Sequence, residues 1–307
     1  MEPLGTPPQV VSGVLVIDKP QGWTSHDVVA RVRRMSGVRR VGHSGTLDPM
    51  ATGVLVVCLG SATRIIEYLP DNKTYRARIH FGIETDTWDA EGQPVALADA
   101  GGLERDQVQA LLAEFVGPIL QRPPMYSALK RDGVPLYKLA RQGVVVERTA
   151  RPVTIHRLTM LRWAPPMVDL EVHCSAGTYI RALAHDLGQH AGTGAHLAVL
   201  RRTAVGHLGL SQALPQEALL TGLNWQDKLL SLRWALQHLP SVVVSDEGVQ
   251  DLALGRAITL QAPAAGDTLC ALDQQGALVA VLRPAEHGHW RPVKVLAGSG
   301  QALQAGR

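Results

Sequence analysis

Lys73-Thr74-Tyr75-Arg76-Ala77-Arg78-Ile79-His80-Phe81-Gly82 decides how the fold is read. Tyr75, Ala77, Ile79 and Phe81 alternate with Arg76, Arg78 and His80, the period-2 pattern of a strand with one buried and one polar face. Working outward, Gly13–Asp18 reads as a second strand. Ser25 can cap a helix to about Met35 that carries Val28, Val29 and Val32 on one face. A loop over 36–52 leads to a buried strand near 53–59 and a short helix at Ala62–Leu69. Arg105–Phe115 is an amphipathic helix, Val168–Cys174 a strand, and Thr178–His190 a helix opened by Gly177 and closed near Gly192. Strands and helices mix without a regular βαβ rhythm, which predicts an α+β fold with a mixed or mainly antiparallel sheet rather than a doubly wound one. Residues 130–152, rich in charge, Gly and turn formers, read as a mobile insertion. From Val242 onward short apolar strands alternate with turns (Gly255, Ala264-Ala265-Gly266-Asp267, Gln274-Gln275-Gly276, Glu286-His287-Gly288). That is the spacing of a small β-barrel or sandwich, and it places a domain boundary at about 240.

A chain of 307 residues sits where single cores tend to split into domains. The apolar runs Val54–Leu59 and Val242–Val244 are strand-sized, so no membrane span is expected. Residues 1–12 lack the basic start and apolar stretch of a secretory signal and read as a flexible leader on a cytoplasmic protein. Cys58, Cys174 and Cys270 lie far apart in strand-like surroundings, which predicts reduced, buried thiols rather than disulfides or a zinc site. Net charge is only +3, but it is unevenly placed: positions 31–40 hold five arginines (Arg31, Arg33, Arg34, Arg39, Arg40) and no acid, while 241–307 carry five basic against six acidic residues. A concentrated cationic patch matters more for phosphate binding than net charge does, and on this feature alone a solvated helix face reads equally well.

The chemistry centres on Gly42-His43-Ser44-Gly45-Thr46-Leu47-Asp48-Pro49. Two glycines loosen the loop, and Pro49 biases Asp48 toward an extended conformation, so that one carboxylate is presented just after the arginine run. Read alone, G-T-L-D-P is an ordinary surface turn. Only five tyrosines serve the whole chain, so their places matter: Tyr75 on the Arg-bearing strand, Tyr126 in Arg122-Pro123-Pro124-Met125-Tyr126-Ser127, and Tyr179 in Gly177-Thr178-Tyr179-Ile180-Arg181. A tyrosine offers a π face for an unstacked base and a hydroxyl for hydrogen bonding. Arg181, at a helix start, can pair with a carboxylate and hold it ionised. Other constellations fail on spacing. Met50 stands where a D-x-D-x-T phosphatase needs its second Asp, and Leu97 where a calcium loop begun at Asp86, Asp89 and Glu91 needs its bidentate acid. No phosphate-binding or dinucleotide loop appears, and no metal or cofactor is expected.

Together these segments resemble the bacterial tRNA pseudouridine-55 synthases of the TruB type. The resemblance is carried, in family order over about residues 13–205, by Asp18-Lys19-Pro20-Gln21-Gly22-Trp23-Thr24-Ser25, Gly42 to Gly53, Lys73-Thr74-Tyr75-Arg76, Gly82-Ile83-Glu84-Thr85-Asp86-Thr87, Pro123 to Lys130, Gly177-Thr178-Tyr179-Ile180-Arg181, and Gly194-Ala195-His196-Leu197 through Leu200-Arg201-Arg202-Thr203. Ala176 stands where the family usually has a lysine. The resemblance implies a pseudouridine synthase catalytic domain over 13–240, its insertion 130–152 contacting RNA, and a PUA-like RNA-binding domain over 241–307. It implies that Asp48 is the catalytic carboxylate, that Tyr75 stacks on the flipped uracil with Tyr179 close to it, and that Arg181 pairs with Asp48. Leu200 would pack in the pocket, His43 would fill the gap left in the T-loop, and Lys19 and Pro20 would buttress the active-site loop. It further implies a cofactor-free isomerase, a monomer without an obligate protein partner, acting on the T-arm of tRNA. An RNA chaperone that remodels the tRNA elbow is the alternative from a different class.

Overall fold

The structure, a computed structural model, describes residues 11–127, 129–131, 133–144, 146–260 and 266–296. It is α+β, and the chain divides into two compact units: Met1–Asp48, Val54–Pro70 and Leu208–Arg307 form one, and Pro49–Gly53 with Asp71–His207 the other. No helix among the described residues is long and apolar enough to cross a membrane.

The first unit opens with strand β1 (Gly13–Lys19). Val14, Leu15, Val16 and Ile17 are all fully buried, which is why this strand reads as an apolar run rather than an alternation. Helix α1 (Ser25–Ser36) follows. Its cap is Thr24, not Ser25: the Thr24 hydroxyl accepts the Asp27 N–H (3.1 Å) while the Asp27 carboxylate accepts the Thr24 N–H (2.8 Å), a capping box. The Thr24 hydroxyl, which also donates to the carboxylate (2.7 Å), and the Thr24 N–H hold the Asp27 carboxyl below its usual value. Gly37, at φ 69°, closes the helix in the left-handed conformation. The stretch 36–52, expected to be all loop, contains strand β2 (Val41–Ser44), which pairs antiparallel with Val56–Leu59 of strand β3 (Thr52–Leu59). The turn after β3 is a 3-10 helix, Gly60–Tyr68.

The second unit is built on strand β4 (Lys73–Phe81), whose Tyr75, Ala77, Ile79 and Phe81 are buried as the alternation predicts. Then come helix α2 (Arg105–Glu114), strands β5 (Gly117–Gln121), β6 (Arg151–Ala164) and β7 (Met167–Cys174), helix α3 (Ile180–His190) and strand β8 (Ala195–Val205). The sheet runs β8-β4-β7-β6-β5, every neighbour antiparallel. Thr52 and Gly53, at the start of β3, pair in parallel with Arg201 and Arg202 and make the sheet mixed. Strand β6 escapes a period-2 reading because its register shifts twice, between Ile155 and Arg157 and between Met160 and Arg162. Each bulge resets which residues face the core. Within 130–152 the described residues include a hairpin, Lys130–Arg131 with Val134–Pro135, and a helix, Leu136–Arg141.

After residue 240 the strands form a sheet of their own. Strand β9 (Ser241–Val243) lies parallel to β11 (Leu269–Leu272). Strands β12 (Leu278–Pro284), β13 (His289–Val295) and β10 (Ile258–Thr259) complete the order β9-β11-β12-β13-β10. Its core is Val244, Leu252, Leu269, Ala271, Val279, Ala280 and Leu282. Where only short strands were expected there is also a helix, α4 (Asp246–Ala253), capped by the Ser245 hydroxyl on Gly248 N–H (3.2 Å), with Asp246 and Glu247 in its first turn. The turn at Ala264-Ala265 and residues 1–10 of the leader lie outside the described residues. Ser12 is buried, and its hydroxyl accepts the Ser61 N–H (3.0 Å).

Candidate active site

In the first unit two buried side chains, Lys19 and Ser25, bond to main chain. Lys19, at the end of β1, is fully buried, and its ammonium donates to the carbonyls of Pro20 (2.9 Å) and Trp23 (2.7 Å). A buried charge is tolerated only when its protons are matched by such acceptors. The bonds curl the Lys19–Trp23 turn back on itself and deliver Thr24 and Ser25 to the helix start. Ser25, which the sequence suggested as the cap, faces inward instead. Its hydroxyl accepts the Leu47 N–H (2.9 Å) and lies 3.3 Å from the Leu47 carbonyl, with both residues buried. The peptide next to Asp48 is therefore fixed by a side chain 22 residues earlier. Gly45, at φ 76°, supplies the left-handed turn the loop needs. A Cβ at Gly42 would press on the Ile66 side chain at 3.1 Å. His43 is on β2, its ring edge-on to His26 with centroids 5.8 Å apart. Asp48 is half-buried.

Arg31 corrects the picture of the cationic run. Its guanidinium donates to the carbonyls of Leu219 (2.7 Å) and Leu220, joining α1 to the helix Gln216–Thr221. Arg33 is turned onto the carbonyl of Arg39 (3.2 Å). Arg34, Arg39 and Arg40 are the exposed members without a bond of this kind among those described.

In the second unit the register of β4 and β8 sets Tyr75 opposite Arg202 and Ala77 opposite Leu200, so Tyr75, Leu200 and Arg202 share the buried face of the sheet. Arg202 is fully buried, and its charge together with desolvation lowers the pKa of Lys73, desolvation being the larger cause. Tyr179 precedes helix α3. Gln121, 2% exposed at the end of β5, holds it from both sides: the amide oxygen accepts the Tyr179 N–H (2.7 Å) and the amide nitrogen donates to the Tyr179 carbonyl (3.1 Å). Arg181, two residues on, is 4% exposed. Its guanidinium lies 3.4 Å from the Asp89 carboxylate, donates to the Tyr126 carbonyl (2.7 Å) and reaches the Thr87 carbonyl (3.5 Å). Asp89, set aside as a failed calcium ligand, is thus a buried partner of Arg181, oriented by the Thr87 hydroxyl (2.6 Å) and the Glu91 N–H (3.1 Å). Between Thr87 and Asp89 sits Trp88, at φ 64°, a backbone state that costs a bulky residue about 1–3 kcal/mol and persists only where the surroundings impose it. Ala176 is exposed, so no cation stands at that place in the Gly-Thr-Tyr motif.

Ser25, Gln121 and Asp89 were missed as supports. Ser25 lies within a quoted motif, but nothing in the spacing of Gln121 and Tyr179, or of Asp89 and Arg181, announces that they meet. Among the described residues no group of three or more His, Cys, Asp or Glu is placed to hold a metal ion.

Residues 33–180 match the N-terminal domain of TruB family pseudouridylate synthase, and residues 181–243 the tRNA pseudouridylate synthase B C-terminal domain. The chain belongs to the TruB family. Among its relatives is a tRNA pseudouridine synthase B from Syntrophotalea carbinolica, 50% identical over 248 residues that cover 80% of this chain and 81% of the relative. The protein of that name from Dehalococcoides mccartyi is 43% identical over 289 residues, 93% of this chain and 96% of the relative. In a solved Cbf5-Nop10-Gar1 complex, one chain superposes with a TM-score of 0.72 at 27% identity, over 96% of this TruB-family chain and 89% of the other. The family is one of isomerases that make pseudouridine, and the α+β architecture is shared with that solved relative.

Proposed function

We propose that this chain converts the T-loop uridine of tRNA, position 55 in tRNA numbering, to pseudouridine, with Asp48 as the essential carboxylate. The observation that carries the reading is the Asp48 loop itself. A carboxylate on a family motif follows a peptide locked by a buried hydroxyl, preceded by a turn locked by a buried lysine. The names borne by the relatives, tRNA pseudouridine synthase B, supply the substrate class.

The reaction detaches uracil from its glycosidic nitrogen, turns it and rejoins it to the same ribose through a ring carbon. Atoms and electrons balance within the nucleoside, so no cofactor or second substrate is part of the scheme. The nucleotide is flipped out of the T-loop, at a cost of a few kcal/mol of lost stacking, which His43 offsets by filling the gap. Tyr75 stacks on the extruded base and Tyr179 lies beside it. Leu200 packs in the pocket, and Arg181 keeps the Asp48 carboxylate ionised and oriented. Lys19 and Pro20 act on the loop and not on the RNA. Residues 130–152 contact RNA as a mobile segment, and residues 241–307 act as a PUA-like RNA-binding domain. The protein works as a cytoplasmic monomer without metal, cofactor or obligate protein partner.

The test uses unmodified tRNA transcript and a second transcript with cytidine at position 55. Pseudouridine at that single site in the first, and none in the second, is the expected result. Conversion at other uridines, or tight binding without product, overturns the reading, the latter in favour of an elbow-remodelling chaperone. Tyr75→Ala is expected to lose more rate than Tyr75→Phe, since stacking needs only the ring.

A further inference from the structure

Trp88 is tied on every side. Its N–H donates to the Thr85 carbonyl (3.2 Å) and its own carbonyl accepts the Leu197 N–H (3.0 Å), anchoring the 85–90 loop to strand β8. Its ring stacks on His185 of helix α3, centroids 4.2 Å apart and planes 13° apart. The Arg148 guanidinium lies over the ring, 5.5 Å from its centroid, within cation–π range. His185 Nδ1 lies 3.2 Å from a Glu84 carboxylate oxygen, whose other oxygen accepts from Gln189 (2.8 Å). Arg148 also donates to the Pro123 carbonyl (3.2 Å). It belongs to the stretch 130–152, within the connection that leaves the sheet after Gln121, passes Tyr126 and returns to the sheet at Arg151. The residues flanking Trp88, Thr87 and Asp89, both touch Arg181. Thr87 and Asp89 are covalently joined to Trp88, and a backbone at φ 64° is one that a bulky residue keeps only where its surroundings hold it.

We infer that Trp88 is a positioning residue for Arg181: its stack with His185 and Arg148 sets where Thr87 and Asp89 lie, and through it the seating of Arg148 is read at the Arg181 guanidinium. This rests on the assignment of Arg181 as the cation that serves Asp48. Arg181 is then held from both arms of the connection between β5 and β6, directly through the Tyr126 carbonyl (2.7 Å) and indirectly through Arg148 and Trp88.

The experiment measures single-turnover pseudouridine formation at saturating tRNA, tRNA affinity and thermal stability for Trp88→Leu, Trp88→Phe, Arg148→Gln, the Trp88→Leu/Arg148→Gln double variant and Arg181→Ala. Trp88→Leu should lower the rate about 10- to 100-fold with affinity within about threefold, the signature of misplacement rather than lost binding. Trp88→Phe, which keeps a stacking ring, should stay within about threefold of wild type. Arg148→Gln should lose about tenfold, and the double variant should be no worse than Trp88→Leu by more than about twofold, because both changes cut one chain of contacts. A wild-type rate in Trp88→Leu where Arg181→Ala is inactive overturns the inference, as do losses that multiply in the double variant. A wild-type rate in Arg181→Ala overturns the assignment of Arg181 and this inference with it. Should Trp88→Leu fail to fold, Arg148→Gln decides: an unchanged rate there refutes the coupling.

Discussion

Replacing Ser25 with alanine removes one oxygen from the wall of the Asp48 loop and leaves the rest of helix α1 alone. The Leu47 N–H, buried and bonded to that oxygen at 2.9 Å, is left without this acceptor, and an unsatisfied buried donor costs about 1–3 kcal/mol. For a chain of this size that corresponds to a fall in Tm of about 1.5 °C for each kcal/mol. The larger effect is kinetic. With the Leu47 peptide free to rotate, Asp48 is no longer presented in one place, and a displacement of the order of 1 Å at a reacting group costs about 100-fold in rate. Single-turnover conversion of saturating tRNA should fall 10- to 100-fold, on that same basis, with tRNA affinity little changed. Thr24→Ala is the control. It breaks an exposed capping box one residue away, should cost about 0.5–2 kcal/mol of stability, and should leave the rate intact. If Ser25→Ala melts and turns over like wild type, or loses rate only in proportion to Thr24→Ala, the Ser25 hydroxyl does not position the loop.

Three further outcomes follow from the packing. Gly53→Ala places a Cβ against the Arg202 carbonyl oxygen and 3.0 Å from the Arg202 nitrogen, at φ 97°, so it should destabilise by more than about 2 kcal/mol in urea unfolding, and a neutral result would contradict the parallel pairing there. Changing Arg34, Arg39 and Arg40 together to glutamine should flatten the salt dependence of tRNA binding by about 2 to 3 in log–log slope, whereas Arg31→Gln should lower Tm and leave the slope nearly unchanged, its guanidinium being spent on Leu219 and Leu220. Burial pushes the thiols of Cys58, Cys174 and Cys270 up to about 12, about 11 and about 11. Raised above the unfolded value of about 8.5, they contribute stability that is complete below that pH and lost as pH rises through about 11 to 12. Native protein at mildly alkaline pH should therefore leave a thiol reagent unconsumed until denaturant is added; three fast thiols in native protein would contradict the burial.

What the sequence made legible was periodic or punctuated. The alternation of β4, the glycines Gly177 and Gly192 on either side of helix α3 and the apolar run of β1 each carry their own signal, and they suffice for an α+β sheet protein. Strand β6 was hidden because two register shifts break its phase. Helix α4 was hidden because eight residues flanked by strands offer little periodicity, and only Ser245 with Asp246 and Glu247 marks its start. Thr24 and Ser25 are both N-cap formers in adjacent positions, and local sequence cannot say which faces the helix and which faces the core. At the site, the motif residues stood out by type and place, but their supports did not. Gln121 and Tyr179 are 58 residues apart, and Asp89 and Arg181 are 92 apart; only the fold brings them together. Arg31 was not separable from the rest of the arginine run for the same reason, since it finds its acceptor 188 residues away.

The most direct test of the central claim compares wild type with Asp48→Asn in single-turnover conversion of a T-arm RNA, mapping pseudouridine by carbodiimide adduct and primer extension, with binding and thermal stability measured on the same samples. The substitution keeps the size and shape of the side chain and removes its charge. Product at one T-loop uridine in wild type, none in the variant, and RNA affinity within about tenfold (~1.4 kcal/mol) is the predicted result. Product formed by a folded Asp48→Asn protein at a rate near that of wild type would contradict it.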